Sequence, residues 1–182
     1  DDFVARILIG SIQAGDAPDI RNSMDMTPVD FVSKAMVYLS RRPESRGNVF
    51  HLLNPNPVHW GNIFDHVIEA GYPLTMHTFE NWVQAVEAHA DPDTNPLYPL
   101  LPFFHVGFAR RMLGVSDRAF SALGTQLTQD ALRDSAVTCV PVNAQLINTF
   151  ISYFVQTGRL CPPIPTTSIV ADMLELHPVP GK

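Results

Sequence analysis

The side chains with the widest chemical reach in this chain are seven histidines, at positions 51, 59, 66, 77, 89, 105 and 177. A zinc site would need them at H-x-x-x-H or H-E-x-x-H spacing, which sets two imidazoles on one helix face. None has that spacing, and Cys139 and Cys161 form no C-x-x-C. The pattern therefore fits scattered surface or helix-terminal histidines and two reduced thiols, with no metal site. Serines are plentiful, but no G-x-S-x-G elbow presents one as a nucleophile. Asp30 reads as a catalytic carboxylate or as an acid at a helix start, and its place three residues after Thr27 favours the second. Arg41-Arg42 and Arg110-Arg111 end predicted helices; each pair could grip a phosphate, but cations complementing a helix C-terminus are the simpler reading. Trp60 and Trp82 fit core anchors better than stacking platforms.

Dinucleotide chemistry would need backbone N–H groups crowded around a pyrophosphate at a helix start, which is why glycines cluster there. The ten glycines never cluster, and neither G-x-G-x-x-G nor a P-loop occurs. A Tyr-x-x-x-Lys pair, in which a nearby ammonium lowers the pKa of a phenol acting as general acid, is also missing. The only lysines are Lys34 and Lys182, and Asp30 lies four residues before Lys34.

The elements that must position these groups alternate at first and then turn helical. The spacing predicts a helix over 2–14, capped by Asp2 and closed by Gly15, followed by a loop through "DAPDIRNS". Met24 and Met26 alternate with polar neighbours into Thr27, which is expected to cap a helix with Pro28 at its first position, running to about Arg41 or Arg42. "NVFHLL", 48–53, reads as a buried strand. A helix follows over 60–70, then a strand within "YPLTMHTF", then a helix capped by Thr78 with Trp82, Val83, Val86 and Ala90 facing inward. After Pro96 come helical pieces broken by prolines. The strongest apolar repeat is Leu146, Ile147, Phe150, Ile151, Phe154 and Val155 behind the cap Asn143. "SIVADMLEL" is a last, short helix candidate.

A chain of 182 residues with 46% hydrophobic and 16% charged content is an ordinary globular composition that can bury one sizeable core. A net charge of −6 argues against nucleic acid, and no apolar run reaches the length of a membrane span. No signal peptide is legible, so the chain is expected in the cytoplasm. Its first residues lack an initiator Met and suggest a piece of something longer. The alternation over 1–75 followed by helices predicts an α/β, predominantly helical fold. Residues 1–75 are read as edge elements of a Rossmann-like sheet, 76–163 as a helical lobe and 164–182 as a tail.

Four blocks in order, "DDFVARILIGSIQAGDAPDI", "MDMTPVDFVSKAMVYLS", "GNVFHLLNPNPVHWGNIFDHVIEAGYPL" and "CVPVNAQLINTFISYFVQTGRLCPP", resemble the C-terminal part of thioester reductase domains. These belong to the extended short-chain dehydrogenase/reductase superfamily and terminate nonribosomal peptide synthetases, with close relatives in carboxylic acid and aminoadipate reductases. The likeness runs from about residue 1 to about residue 163. It implies reduction of a carrier-protein-bound acyl or peptidyl thioester by NADPH to an aldehyde or alcohol. In that family the glycine-rich loop and the Ser/Thr, Tyr and Lys catalytic residues precede the first block, so no catalytic or cofactor-binding residue carries over to this chain. The N-terminal NADPH-binding half would then be its partner, together with a phosphopantetheine-bearing carrier domain, and the lobe over 76–163 would bind the substrate and help dock that carrier.

Nucleotide-sugar enzymes of the same superfamily resemble this region through R-D-F-x-x-V-x-D. Aligning its last Asp with Asp30 puts Ser23 where their arginine stands, which removes the bidentate phosphate clamp. The resemblance thus implies a substrate tunnel for an acyl chain on a pantetheine arm, with Phe3, Met24, Met26, Thr27, Asn54 and Trp60 as lining candidates, against the alternative that each is simply core. Two other readings stay open: a non-catalytic helical module that docks a carrier or other protein, and the tail of an extended short-chain reductase acting on a free small molecule.

Overall fold

The computed structural model describes residues 2–20, 22–105 and 124–163. Helix α1, Phe3–Ala14, starts where Asp2 Oδ1 accepts the Ala5 N–H at 2.7 Å. It stops at Gly15, whose φ of 76° is the left-handed closure that a side chain would strain. Strand β1, Asp16–Pro18, follows at once and lies parallel to β4, Thr75–His77, in the register Asp16↔Thr75, Ala17↔Met76 and Pro18↔His77. The expected loop over "DAPDIRNS" is thus partly a strand: Ala17 is fully buried and the pairing is non-local, which no local pattern reveals. Strand β2, Ser23–Met24, pairs antiparallel with β3, Val58–His59.

Helix α2 spans Val29–Ser40, and its cap differs from expectation. Pro28 occupies the N-cap, and its side chain has no polar atom to cap with; the Thr27 hydroxyl, one residue before, donates to Asp25 Oδ1 at 2.6 Å. A larger correction concerns 48–53. The run is in no ladder, and Val49 is 75% exposed, although Phe50 and Leu52 are half-buried against α2. An apolar run becomes a strand only when a partner offers its backbone groups, and no described strand pairs with it.

Helix α3, Trp60–Glu69, leaves β3 directly; α4, Phe79–His89, is capped by Thr78, whose Oγ accepts the Asn81 N–H. Beyond them lie α5, Leu101–His105, α6, Gln126–Leu132, and α7, Ala144–Gln156, which Asn143 caps through Leu146 N–H. The "SIVADMLEL" helix, Arg110-Arg111, His177 and Lys182 lie outside the described residues.

One core joins α1, α3, α4 and α7 around β1 and β4, with Ile7, Ile9, Phe64, Trp82, Leu97 and Ile147 among its fully buried members. Each such side chain contributes roughly 1.5–3 kcal/mol through burial. Trp82, Val83, Val86 and Ala90 all face inward as their spacing requires. Tyr72 ties the end of α3 to the chain after α7 by donating its O–H to the Cys161 carbonyl at 2.7 Å. A smaller cluster sits under α2, where Phe31, Ala35 and Leu39 meet Leu132 of α6. Among the described residues no helix is long and apolar enough to cross a membrane.

Candidate functional site

Asp25, in the turn between β2 and α2, is the junction of the most connected polar group. Its Oδ1 accepts the Thr27 hydroxyl at 2.6 Å and the Asn54 N–H at 3.0 Å. Asn54 is buried and uses its side chain fully: Nδ2 donates to the Met26 carbonyl at 3.1 Å and the Val140 carbonyl at 3.4 Å, and Oδ1 accepts the Asn56 N–H. Three chain segments, 25–27, 54–56 and 140, are thereby pinned to one another. A buried amide with all these partners met is a rigid positioning device.

The lining candidates divide accordingly. Met26, Thr27 and Asn54 meet through Asp25. Met24 is two residues upstream on β2 and Trp60 directly follows β3, the strand paired with it. Met24 and Met26 are half-buried against the main core, whereas Trp60 is 2% exposed and stacks on Phe64 at 6.4 Å. Phe3 belongs to a separate aromatic group, with Phe103 at 6.1 Å and Phe104 at 6.3 Å between ring centroids. Nothing in the sequence singles out Asp25, although it holds the polar position between Met24 and Met26 that faces away from theirs.

Two cavities lie in this part of the chain, and the first is next to this group. One, of about 300 Å³, lies between the start of α2, the 53–55 segment and α6, lined by Phe31, Leu53, Thr128, Leu132, Val137 and Cys139. Burial, aided by the negative charges of Asp25 and Asp30, pushes the Cys139 thiol up to about 11, so it stays protonated at neutral pH. The other, of about 440 Å³, is polar and opens between β3 and β4 beside Asp19, His59, Asn62 and Asp65. Within it His59 Nδ1 is buried without a hydrogen-bond partner among the described residues.

A second ionisable group is invisible to sequence reasoning. Asp16, 4% exposed at the start of β1, accepts His77 Nε2–H at 2.7 Å and His89 Nδ1–H at 2.6 Å, and its carbonyl accepts Trp82 Nε1–H at 3.2 Å. The three side chains come from β1, β4 and the end of α4, so their spacing in the chain, 61 and 73 residues, gives no signal. No group of three or more His, Cys, Asp or Glu side chains suited to a metal occurs among the described residues.

The starts of α1, α2, α3, α4 and α7 do not fit a dinucleotide phosphate. Asp2, Thr78 and Asn143 close their own first turns in α1, α4 and α7, and the Gly61 N–H at the start of α3 donates to the Ile20 carbonyl at 3.2 Å. In α2 the first turn holds Asp30, an anion where a phosphate would sit, ion-paired to Lys34 at 2.8 Å.

Solved structures and curated relatives agree on what such a scaffold belongs to. The terminal R domain from the myxalamid PKS-NRPS biosynthetic pathway superposes with a TM-score of 0.73 at 30% identity, over 90% of this chain and 40% of that one. The chain is homologous to the reductase domains of nonribosomal peptide synthetases and of L-2-aminoadipate reductases. It matches a C-terminal portion of them, the predominantly helical lobe of the extended short-chain reductase fold. A linear gramicidin synthase of Brevibacillus parabrevis is 33% identical over 163 residues, 88% of this chain and 3% of that synthase. A thiolation-reductase di-domain from an archaeal non-ribosomal peptide synthetase shares the fold, with a TM-score of 0.62 at 17% identity over 85% of this chain and 31% of that one. No family model matches. The chain therefore spans well under half the length of these relatives.

Proposed function

We propose that this chain is the substrate-binding, C-terminal part of an NADPH-dependent thioester reductase that releases a carrier-bound acyl or peptidyl group as aldehyde or alcohol. The observation that carries this reading is the 48–53 run. It is apolar enough for a buried strand, yet it has no ladder partner among the described residues and leaves Val49 exposed, as a strand does when the sheet it joins lies on other polypeptide. The sequence supports the same division of labour, because it contains neither a glycine cluster nor a Tyr-x-x-x-Lys pair. The coenzyme and the reacting groups then belong to an N-terminal half, and this chain supplies the wall against which the acyl group is held.

In this reading Met24, Met26 and Thr27 face the substrate, and Asn54 and Trp60, both buried, shape the wall from behind. Phe3 lines the tunnel from α1. The partner is a carrier domain bearing phosphopantetheine, a reading supported by the thiolation-reductase neighbour, and the site of action is the cytoplasm. Isolated, the chain is expected to bind NADPH negligibly. Joined to the N-terminal half of a reductase domain, it is expected to restore NADPH oxidation that depends on a carrier-bound thioester. Tight NADPH binding by the chain alone, measured by fluorescence titration, overturns the reading. So does activity of the N-terminal half without it.

A further inference from the structure

The apolar cavity beside the Asp25 junction has no part in the wall described so far. None of Phe3, Met24, Met26, Thr27, Asn54 or Trp60 lines it; Phe31 of α2, Leu53, Leu132 of α6, Val137 and Cys139 do. It nevertheless adjoins that wall. Asn54 sits between Leu53 and Pro55, which both face the cavity, and the Val140 carbonyl that accepts Asn54 Nδ2–H at 3.4 Å directly follows Cys139.

The polar side chains around this cavity are already engaged with their neighbours. The Thr128 hydroxyl donates to the His51 carbonyl at 2.9 Å, and the Ser135 hydroxyl donates to the Leu132 carbonyl at 2.6 Å while accepting the Val137 N–H at 3.1 Å. Thr125 Oγ1 accepts Gln129 Nε2–H at 2.8 Å, and Arg133 pairs with Asp130. What remains for an occupant is mainly hydrocarbon surface, which gives water few partners and favours an apolar guest. Cys139 adds a thiol 3.8 Å from the Val140 carbonyl; protonated at neutral pH, it does not attack a thioester. An apolar cavity of about 150 Å³ takes up benzene, so one of about 300 Å³ admits a chain of roughly ten carbon atoms.

We infer that this cavity receives the hydrocarbon end of the acyl group, and that Leu53 and Val137 set the length of chain it accepts. The polar end of such a ligand rests on the thioester-reductase reading; its apolar end rests on the lining alone. The Asp25 junction then stands between two parts of one site, with Met24, Met26 and Thr27 on one side and the tail pocket on the other. Because Asn54 holds both the Met26 and the Val140 carbonyls, the two parts keep a fixed spacing.

The test measures binding of butyl, octyl and hexadecyl pantetheine thioethers, which cannot exchange with a thiol, to the chain by calorimetry. Affinity is expected to rise up to about fourfold per methylene from butyl to octyl and to gain nothing further at hexadecyl. Val137→Phe and Leu53→Phe fill the cavity from two half-buried positions on different segments. Each is expected to weaken octyl binding about tenfold or more and to leave butyl binding unchanged. Bound octyl thioether is expected to slow alkylation of Cys139 by iodoacetamide and to leave Cys161 unprotected, a readout that needs no substitution. Octyl binding that neither substitution changes, with Cys139 unprotected, overturns the tail pocket alone. Protection of Cys139 by an added N-terminal half, with no alkyl chain present, overturns it in favour of packing between the two halves. Joined to that half, the chain is expected to turn over an octanoyl carrier thioester faster than a butanoyl one, a preference that Val137→Phe removes. Octyl binding without any thioester-dependent NADPH oxidation by the joined protein overturns the reductase reading, and the acyl identity of the guest with it.

Discussion

Gly10→Ala separates packing from helix propensity, because the two act in opposite directions at this position. Gly10 lies inside α1, where alanine gains roughly 0.5–1 kcal/mol in propensity. An added Cβ, however, would stand 2.5 Å from Leu97 Cγ, 2.6 Å from Asn95 Oδ1 and 2.9 Å from Leu97 Cβ. Neither neighbour can yield cheaply. Leu97 is fully buried, and Asn95 is held by donating Nδ2–H to the Gly10 carbonyl at 2.9 Å while its Oδ1 accepts the Leu97 N–H at 2.9 Å. Overpacking costs about 1–3 kcal/mol, and disturbing a buried amide pairing adds about 1–3 kcal/mol. The net expectation is a loss of about 2–3 kcal/mol, an approximately 1 M lower urea midpoint at an m-value of about 2–3 kcal/mol/M. Equilibrium urea unfolding followed by far-UV circular dichroism and by the fluorescence of the buried Trp60 and Trp82 measures it. Pairing Gly10→Ala with Leu97→Ala, which removes the nearest clashing atom, is expected to be markedly less costly than the sum of the two. A Gly10→Ala midpoint equal to or above that of the parent refutes the contact argument, since propensity alone would then decide.

Two further outcomes follow from buried ionisable groups. Asp16→Asn leaves one oxygen to accept two imidazole N–H groups and turns an amide N–H toward the other; a loss of about 2 kcal/mol is expected, or roughly 4–8 °C in thermal midpoint, and an unchanged midpoint defeats the claim that Asp16 fastens β1 to β4 and α4. With Cys139 raised to about 11 and Cys161 exposed, iodoacetamide at pH 8 is expected to alkylate Cys161 well before Cys139, with equal rates speaking against the burial argument. Because the folded-state value lies above the ordinary 9.0, the stability linked to Cys139 is fully present below 9.0 and is lost as pH climbs through about 11. Cys139→Ser is expected to flatten that part of the thermal midpoint's pH profile.

What could be read in the sequence was local. The caps Asp2, Thr78 and Asn143, the inward stripe of α4 and the repeat of α7 depend on residues three or four apart, and each forms as its spacing requires. Thr27 is not the cap: the helix starts one residue later, with Pro28 at the N-cap position, and the Thr27 hydroxyl instead donates to Asp25 Oδ1 at 2.6 Å. β1 and β3 are only three and two residues long and owe their existence to partners at 75–77 and 23–24. The Asp16, His77 and His89 group has the same origin. A histidine list searched for helical spacing cannot find a cluster that sheet register assembles.

The same rule turns the misread strand at 48–53 into information about what surrounds the chain. A strand assignment from composition states only that a segment would suit a ladder; the ladder itself is a property of two segments. Phe50 and Leu52 already pack beneath α2, so one side of the run is satisfied, while its backbone pairs with no described strand and Val49 stands exposed. A partner strand from the N-terminal half would pair there without disturbing the Asp25 junction, because Asn54, the next residue after the run, is already bonded to Asp25, Met26 and Val140. On the proposed reading, the wall would be rigid before the sheet is complete, and its position relative to the reacting groups would be fixed when the strand docks.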